Sequence, residues 1–160
     1  MEDKIEIIPF TEAHSNDFAR LNIAWLEKYF EVEPIDRKIF ADPTGYILNA
    51  GGFIYMALLK EVVAGCFALM KVEEGEFELS KMAVDEKFQG KKIGNKMVEF
   101  SLELAKAKGA KSLILYSNTK LKPAIHLYSK YGFIEVPLGD VEYKRADIKM
   151  ERKLINNDAN

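Results

Sequence analysis

Between Ala83 and Val98 the chain reads AVDEKFQGKKIGNKMV, a glycine-containing, basic turn that leads from a strand into a long helix. Such a turn can hold an anion. The first amides of a helix have no intrahelical acceptor and sit at the positive end of its dipole, and glycine lets the backbone approach a ligand closely. Lys91, Lys92 and Lys96 add positive charge. The plainer reading of the same residues is a solvated lysine face, with Gly90 and Gly94 as loop punctuation. The order of residues fails the phosphate-loop template, which needs Gly, four residues, then Gly-Lys-Ser/Thr, and it fails GxGxxG, so a nucleotide triphosphatase or a dehydrogenase is unsupported. The one cysteine, Cys66, excludes an intramolecular disulfide and lies in an apolar strand, where it reads as a small buried side chain. Neither Cys66 nor the two histidines, His14 and His126, have the spacing of metal ligands, so no metal site is expected.

The elements that must position this turn can be read from hydrophobic period and punctuation. Lys4 to Ile8 alternates like a short strand that Pro9 closes, and a helical stretch follows from Thr11 to Phe30, with Phe18, Leu21, Trp25 and Tyr29 on one face. Pro34 suits the first turn of a second, short helix. Three apolar runs, Phe53 to Leu59, Val62 to Val72 and Glu76 to Val84, are separated by Lys60-Glu61 and Glu73 to Gly75, the pattern of an antiparallel meander. From Lys92 to Lys108 the residues Ile93, Met97, Phe100, Leu104 and Ala107 mark an amphipathic helix that Gly109 ends. A strand, Ser112 to Tyr116, precedes a helix that Pro123 opens and Gly132 terminates; late strands are expected near Phe133 to Val136 and Asp147 to Lys153. Strands come first as a meander and only then alternate with helices, so the fold class is mixed α/β and a Rossmann fold is disfavoured.

At 160 residues, 48% of them hydrophobic, the chain can bury one sizeable core, so a single domain is expected over 1–154, with a polar tail at 155–160. Basic and acidic residues number 23 and 25; the net charge of −2 offers no general attraction to nucleic acid. No apolar run approaches membrane-spanning length and the amino terminus does not resemble a secretory signal, so the expectation is a cytoplasmic protein with no membrane partner. Dimerisation is left open, as no heptad pattern decides it.

Gln89, Lys92 and Gly94 resemble the cofactor motif of the GNAT N-acetyltransferase superfamily, usually Gln or Arg, two residues, Gly, one residue, then Gly or Ala, with Lys92 standing where the first glycine is usual. Ser117-Asn118 followed by PAIHLYSKYGF, Pro123 to Phe133, resembles the same family's second signature, and the order of elements is similar along almost the whole chain. The resemblance implies a central, mostly antiparallel mixed sheet of six to seven strands with about four flanking helices, and a V-shaped splay between the fourth and fifth strands. It implies that Met82, Ala83 and Val84 on the splayed strand face the pantetheine arm of acetyl-CoA, and that Gln89, Gly90, Lys91, Lys92, Ile93, Gly94 and Asn95 receive its pyrophosphate. Asn118 would contact the pantetheine or organise the cleft, or else simply close a turn. Tyr128 would protonate the leaving thiolate, although its helical face with Ala124 and Tyr131 is also that of a core residue. Glu78 would take the proton of the amine directly or through water, or is an exposed strand glutamate.

The function so implied is transfer of an acetyl group from acetyl-CoA to a primary amine of a small molecule, peptide or protein, directly in a ternary complex, with no metal. A non-catalytic acyl-CoA sensor is the alternative that the lysine at position 92 leaves room for. The acceptor has no signature. Trp25, Tyr29, Phe30 and Tyr46, alongside Glu27, Glu31, Glu33 and Asp36, could present an aromatic, acidic surface to a cation, or form an ordinary amphipathic face.

Overall fold

The computed structural model describes residues 4–141 and 143–154. The expected tail from residue 155 lies outside the described residues. Seven strands form one sheet in the order β1-β2-β3-β4-β5-β7-β6: β1 Ile5–Pro9, β2 Phe53–Leu59, β3 Val62–Glu73, β4 Glu76–Val84, β5 Ser112–Ser117, β6 Ile134–Val136 and β7 Ile148–Lys153. Among the described residues four α-helices accompany them: α1 Ser15–Tyr29, α2 Pro34–Ala41, α3 Ile93–Ala107 and α4 Lys122–Lys130. Every strand pair is antiparallel except β4 with β5. The mixed α/β architecture expected from the sequence is therefore observed.

Apolar alternation along the strands builds a core on each face of the sheet. On one face, Ile93, Met97 and Val98 of α3 pack against Phe67, Leu69, Leu79 and Leu113, with Leu127 and Tyr128 of α4 at the margin. On the other, Phe18, Leu21 and Leu26 of α1 and Ile39 and Phe40 of α2 cover Ile54, Met56, Cys66, Ala68 and Ala83. Full burial of side chains of this size stabilises by about 1.5–3 kcal/mol each, which fixes the helices on the sheet.

Three local features shape the strands around the site. The β2–β3 hairpin turns on Lys60 and Glu61 alone, with φ of 53° and 66°, the left-handed pair that a two-residue hairpin needs. On β4 the register against β3 slips between Cys66↔Ala83 and Ala68↔Ser80, so Phe67 faces two residues, Lys81 and Met82. Lys81 carries φ 55° in this bulge. Finally, β4 and β5 pair only over Glu76↔Ser112, Phe77↔Leu113 and Glu78↔Ile114 and then part, the splay between fourth and fifth strands that the resemblance implied.

Two boundaries differ from expectation for visible reasons. The first helix begins at Ser15, not Thr11, because the Thr11 amide donates to His14 Nδ1 at 3.0 Å and the His14 amide to the Thr11 carbonyl at 2.8 Å, closing a separate tight turn over Glu12–His14. β6 starts one residue after Phe133, whose amide instead donates to the Tyr128 carbonyl at 3.1 Å and finishes the end of α4 beside Gly132 at φ 91°. A wide helical turn at Thr44–Leu48 was not expected from the sequence.

Candidate active site

The parting of β4 and β5 opens a cavity of about 100 Å³ that continues outward as a groove of about 760 Å³; Trp25, Leu121 and Ala124 wall both. The groove holds the anion-binding turn. Val84, Gln89, Gly90, Lys92, Ile93, Gly94 and Asn95 line it, and the amides from Gly90 to Asn95 make no backbone hydrogen bond among the described residues. Lys92 occupies the cap of α3 in the left-handed region, φ 65° and ψ 26°. The backbone conformation a glycine would supply is thus present with lysine in its place, at a strain of about 1–2 kcal/mol. Gly90, at φ 84°, has open space where a side chain would stand. Lys28 and Lys120, which the sequence reading did not single out, add two more ammonium groups to the groove wall. Lys28 is paired with Glu86 at 2.6 Å and Lys120 donates to the Tyr29 carbonyl at 3.0 Å; the ring of unpaired amides at the helix start, with Lys92 beside it, fits a pyrophosphate. Lys91 is exposed and is not among the residues lining the groove.

Glu78, Met82, Asn118 and Tyr128 meet at the inner cavity. Ala83 does not: its side chain is buried in the core beside Cys66, so only its backbone could serve a ligand. Cys66 is fully buried, donates to the Lys81 carbonyl at 3.6 Å, and burial pushes its thiol up to about 12, which leaves it inert as a nucleophile. Asn118 spends both ends of its amide inside the protein, donating to the Arg145 carbonyl at 2.8 Å and accepting from the Lys120 amide at 2.9 Å. It closes a turn and shapes the cleft wall. Tyr128 is half-buried and lines the cavity, and desolvation there raises its hydroxyl to about 12. Its ring is held edge-on to Phe133 at 5.9 Å. His126 is exposed.

The structure adds a constellation that sequence reading missed. Lys81, Tyr143 and Arg145 line the same cavity, and the Lys81 ammonium donates to the Tyr143 hydroxyl at 2.6 Å. Arg145 grips Asp36 with two bonds, 2.9 and 3.0 Å, and also reaches Glu33 at 3.1 Å. Asp36 and Glu33, expected among residues that could form an acidic surface, therefore neutralise Arg145 from within; Asp36 is 0% exposed. Burial alone would raise the Asp36 carboxyl, but the Arg145 fork, the Glu33 amide and the Lys81 charge outweigh it and hold the group below its usual value. Burial lowers Lys81 to about 8; Asp36 and Glu78 pull against that shift and Arg145 assists it. One signal was available in the sequence. In FELSKMAV, strand parity sets Lys81 with the inward residues Phe77, Leu79 and Ala83, and a cation on an inward face demands partners.

Comparison with known proteins accords with this geometry. Residues 15–133 match the acetyltransferase (GNAT) family. An uncharacterised N-acetyltransferase of Bacillus subtilis, YvbK, is 30% identical over 104 residues, covering 63% of this chain and 67% of that one. An acetyltransferase of the GNAT family from Staphylococcus aureus superposes with a TM-score of 0.86 at 21% identity, over 95% of this chain and 100% of the other. YncA from Salmonella typhimurium, a putative acetyltransferase whose structure contains acetyl-CoA, superposes at 0.75 with 18% identity, over 96% and 95% of the two chains. With the splayed strands, the amide-lined helix start and these relatives together, the chain belongs to the acetyltransferase (GNAT) family and is an N-acetyltransferase.

Proposed function

We propose that this protein takes the acetyl group of acetyl-CoA, seated along the groove, and passes it directly to a primary amine that enters the inner cavity. The observation that carries the reading is the position of Tyr128, which lines the inner cavity together with Glu78, while the groove beyond it ends in a ring of unpaired amides. Acetyl-CoA supplies an activated acyl carbonyl on a sulfur that leaves as a thiol.

The chain's own residues do the rest. The amides from Gly90 to Asn95, with Lys28, Lys92 and Lys120 near them, neutralise the pyrophosphate and set the depth to which the arm reaches. Backbone groups of β4 beyond Glu78, free of β5, are available to pair with that arm. Tyr128 stays protonated at any working pH, so its hydroxyl can donate to the sulfur as negative charge grows there. Glu78, on the acceptor side of the cavity, draws in the ammonium and accepts its proton directly or through water. Trp25, Phe30 and Tyr116 give that cavity aromatic walls, and a volume of about 100 Å³ admits the narrow end of an unbranched amine. The acceptor is a small molecule, a peptide or a protein side chain with such an end.

The test is thiol release from acetyl-CoA against a panel of primary amines. At least one amine should accelerate release, and Tyr128→Phe should lower kcat by about 10–100-fold with acetyl-CoA affinity within about twofold of wild type. Glu78→Gln should lose activity in the same range. Release that no amine stimulates, or that both variants leave unaltered, would sink the proposal and favour a protein that binds acyl-CoA without turnover.

A further inference from the structure

We infer that Lys81, paired with Tyr143 on the acceptor side of the cavity, is the terminal base that holds the proton removed from the incoming amine. The inference rests on the acetyl transfer proposed above and deepens it, by saying where the proton goes after Glu78.

The β4 bulge is what brings Lys81 to the site. Phe77 and Leu79 point to the α3 face, whereas Lys81 lies 5.8 Å from the Phe40 ring on the α1 and α2 face and lines the cavity together with Glu78, Tyr128 and Tyr143. Only 4% of its side chain is exposed. Its ionic support is incomplete. The nearest carboxylate is Asp36, 3.6 Å away, and both Asp36 oxygens are already taken by shorter bonds from Arg145 and the Glu33 amide. Its short contact is to a phenol, Tyr143, at 2.6 Å. A dry ammonium whose best partner is a neutral hydroxyl and whose carboxylate is shared with a guanidinium gives up its proton easily.

The charged and titratable groups facing it among the described residues are Asp36 on α2, Tyr143 and Arg145 before β7, and Glu78 on β4 itself. Together they leave Lys81 near 8, so about one molecule in ten carries the neutral amine at pH 7. Magnitudes then decide between bases. An alkylammonium titrates near 10.4; passing its proton to a group near 8 is uphill by a factor of about 250, but to a carboxylate of ordinary basicity by about a million. The balance is complete. The ammonium gives one proton, by way of Glu78, to the lone pair of Lys81; the nitrogen–carbon bond forms as the carbon–sulfur bond breaks; the second nitrogen-bound proton equals the one the sulfur takes up. Lys81 later returns its proton to water.

The experiment measures kcat against pH with two isosteric acceptors, n-butylamine, a cation at neutral pH, and O-propylhydroxylamine, which is already neutral. Wild type should show, with butylamine, a limb in which kcat rises with pH and levels off above about pH 8. Lys81→Arg keeps the charge but cannot deprotonate; on butylamine it should lose at least about 20-fold at pH 7.5 together with that limb, and on the alkoxyamine less than about threefold. Lys81→Gln should do the same, which guards against one poorly folded variant, and melting and acetyl-CoA titration check both. Equal losses on both acceptors would mean a structural role, and an intact limb in Lys81→Arg would mean that another group takes the proton; either overturns the inference alone. Wild type that acetylates neither acceptor nor any amine of the panel above, at any pH, would overturn the transfer reading and this one with it.

Discussion

Position 92 shows how far a single residue can depart from a motif without changing the backbone. Lys92 holds φ 65° and ψ 26° at the cap of α3, a conformation that costs a lysine about 1–2 kcal/mol and a glycine almost nothing. Replacing it also loosens the unfolded chain by about 0.5–1 kcal/mol, so Lys92→Gly should stabilise by only about 0.5 kcal/mol. Urea denaturation would show it as a small rise in midpoint at unchanged slope; a clear fall would mean that the lysine side chain contributes packing the strain argument omits. At this scale part of the candidate site's lining was legible in the sequence. Gln89, Gly90, Gly94 and Tyr128 were legible because a loop entering a helix and a tyrosine before Gly-Phe are local patterns. Asp36, Tyr143 and Arg145 were not, since three separate segments meet at Lys81, whose only mark in the sequence is a cation at a buried strand position.

At the scale of elements, the meander was readable almost to the residue because β4 alternates with period two, β2 and β3 are apolar runs buried on both faces, and each break is a polar dipeptide or contains a glycine. The helical turn at Thr44–Leu48 was missed because it is set by Asp42, whose carboxylate accepts the Gly45 amide at 3.0 Å, and not by any periodic apolar face. What sequence cannot reveal is how closely α3 seats on the sheet. Gly65 of β3 settles it: a Cβ there would stand 3.0 Å from the Ala83 carbonyl and 3.2 Å from both Ile93 and Met97. Those two side chains fix the start of α3, and with it the amides that face the groove. Gly65→Ala should therefore destabilise by about 1–3 kcal/mol and weaken acetyl-CoA binding severalfold. A melting curve and a titration of the same sample test both halves. An alanine that lowers stability but leaves affinity untouched would separate the seating of α3 from the site.

For the whole molecule, the sheet divides two cores; Lys81 and Tyr128 line the cavity that its splay opens, and Cys66 is buried in the core under α1 and α2. Their placement makes stability depend on pH. Lys81 is near 8 in the fold against 10.5 when free, so between those values the unfolded chain holds more protons and stability rises with pH. Cys66 and Tyr128 are raised to about 12 from 9.0 and 10.0; the fold keeps protons that the unfolded chain loses, and stability falls as pH climbs through that range. The urea midpoint should rise modestly from pH 7.5 to 9 and drop above 10.5, by up to about 2.7 kcal/mol per pH unit with two groups titrating. Lys81→Met should abolish the rise and Cys66→Ala should soften the drop; a midpoint already falling between pH 7.5 and 9 would contradict the assignment. Among the described residues no helix is long and apolar enough to cross a membrane, and no group of three potential metal ligands occurs. The central claim is that the helix start at Gln89–Asn95 binds the pyrophosphate of acetyl-CoA, and calorimetric titration with acetyl-CoA and with S-acetylpantetheine tests it most directly. One saturable site for acetyl-CoA, weakened at least about tenfold when the pyrophosphate-bearing half is missing, is the predicted result; equal affinity for the two, or no binding at millimolar acetyl-CoA, would contradict it.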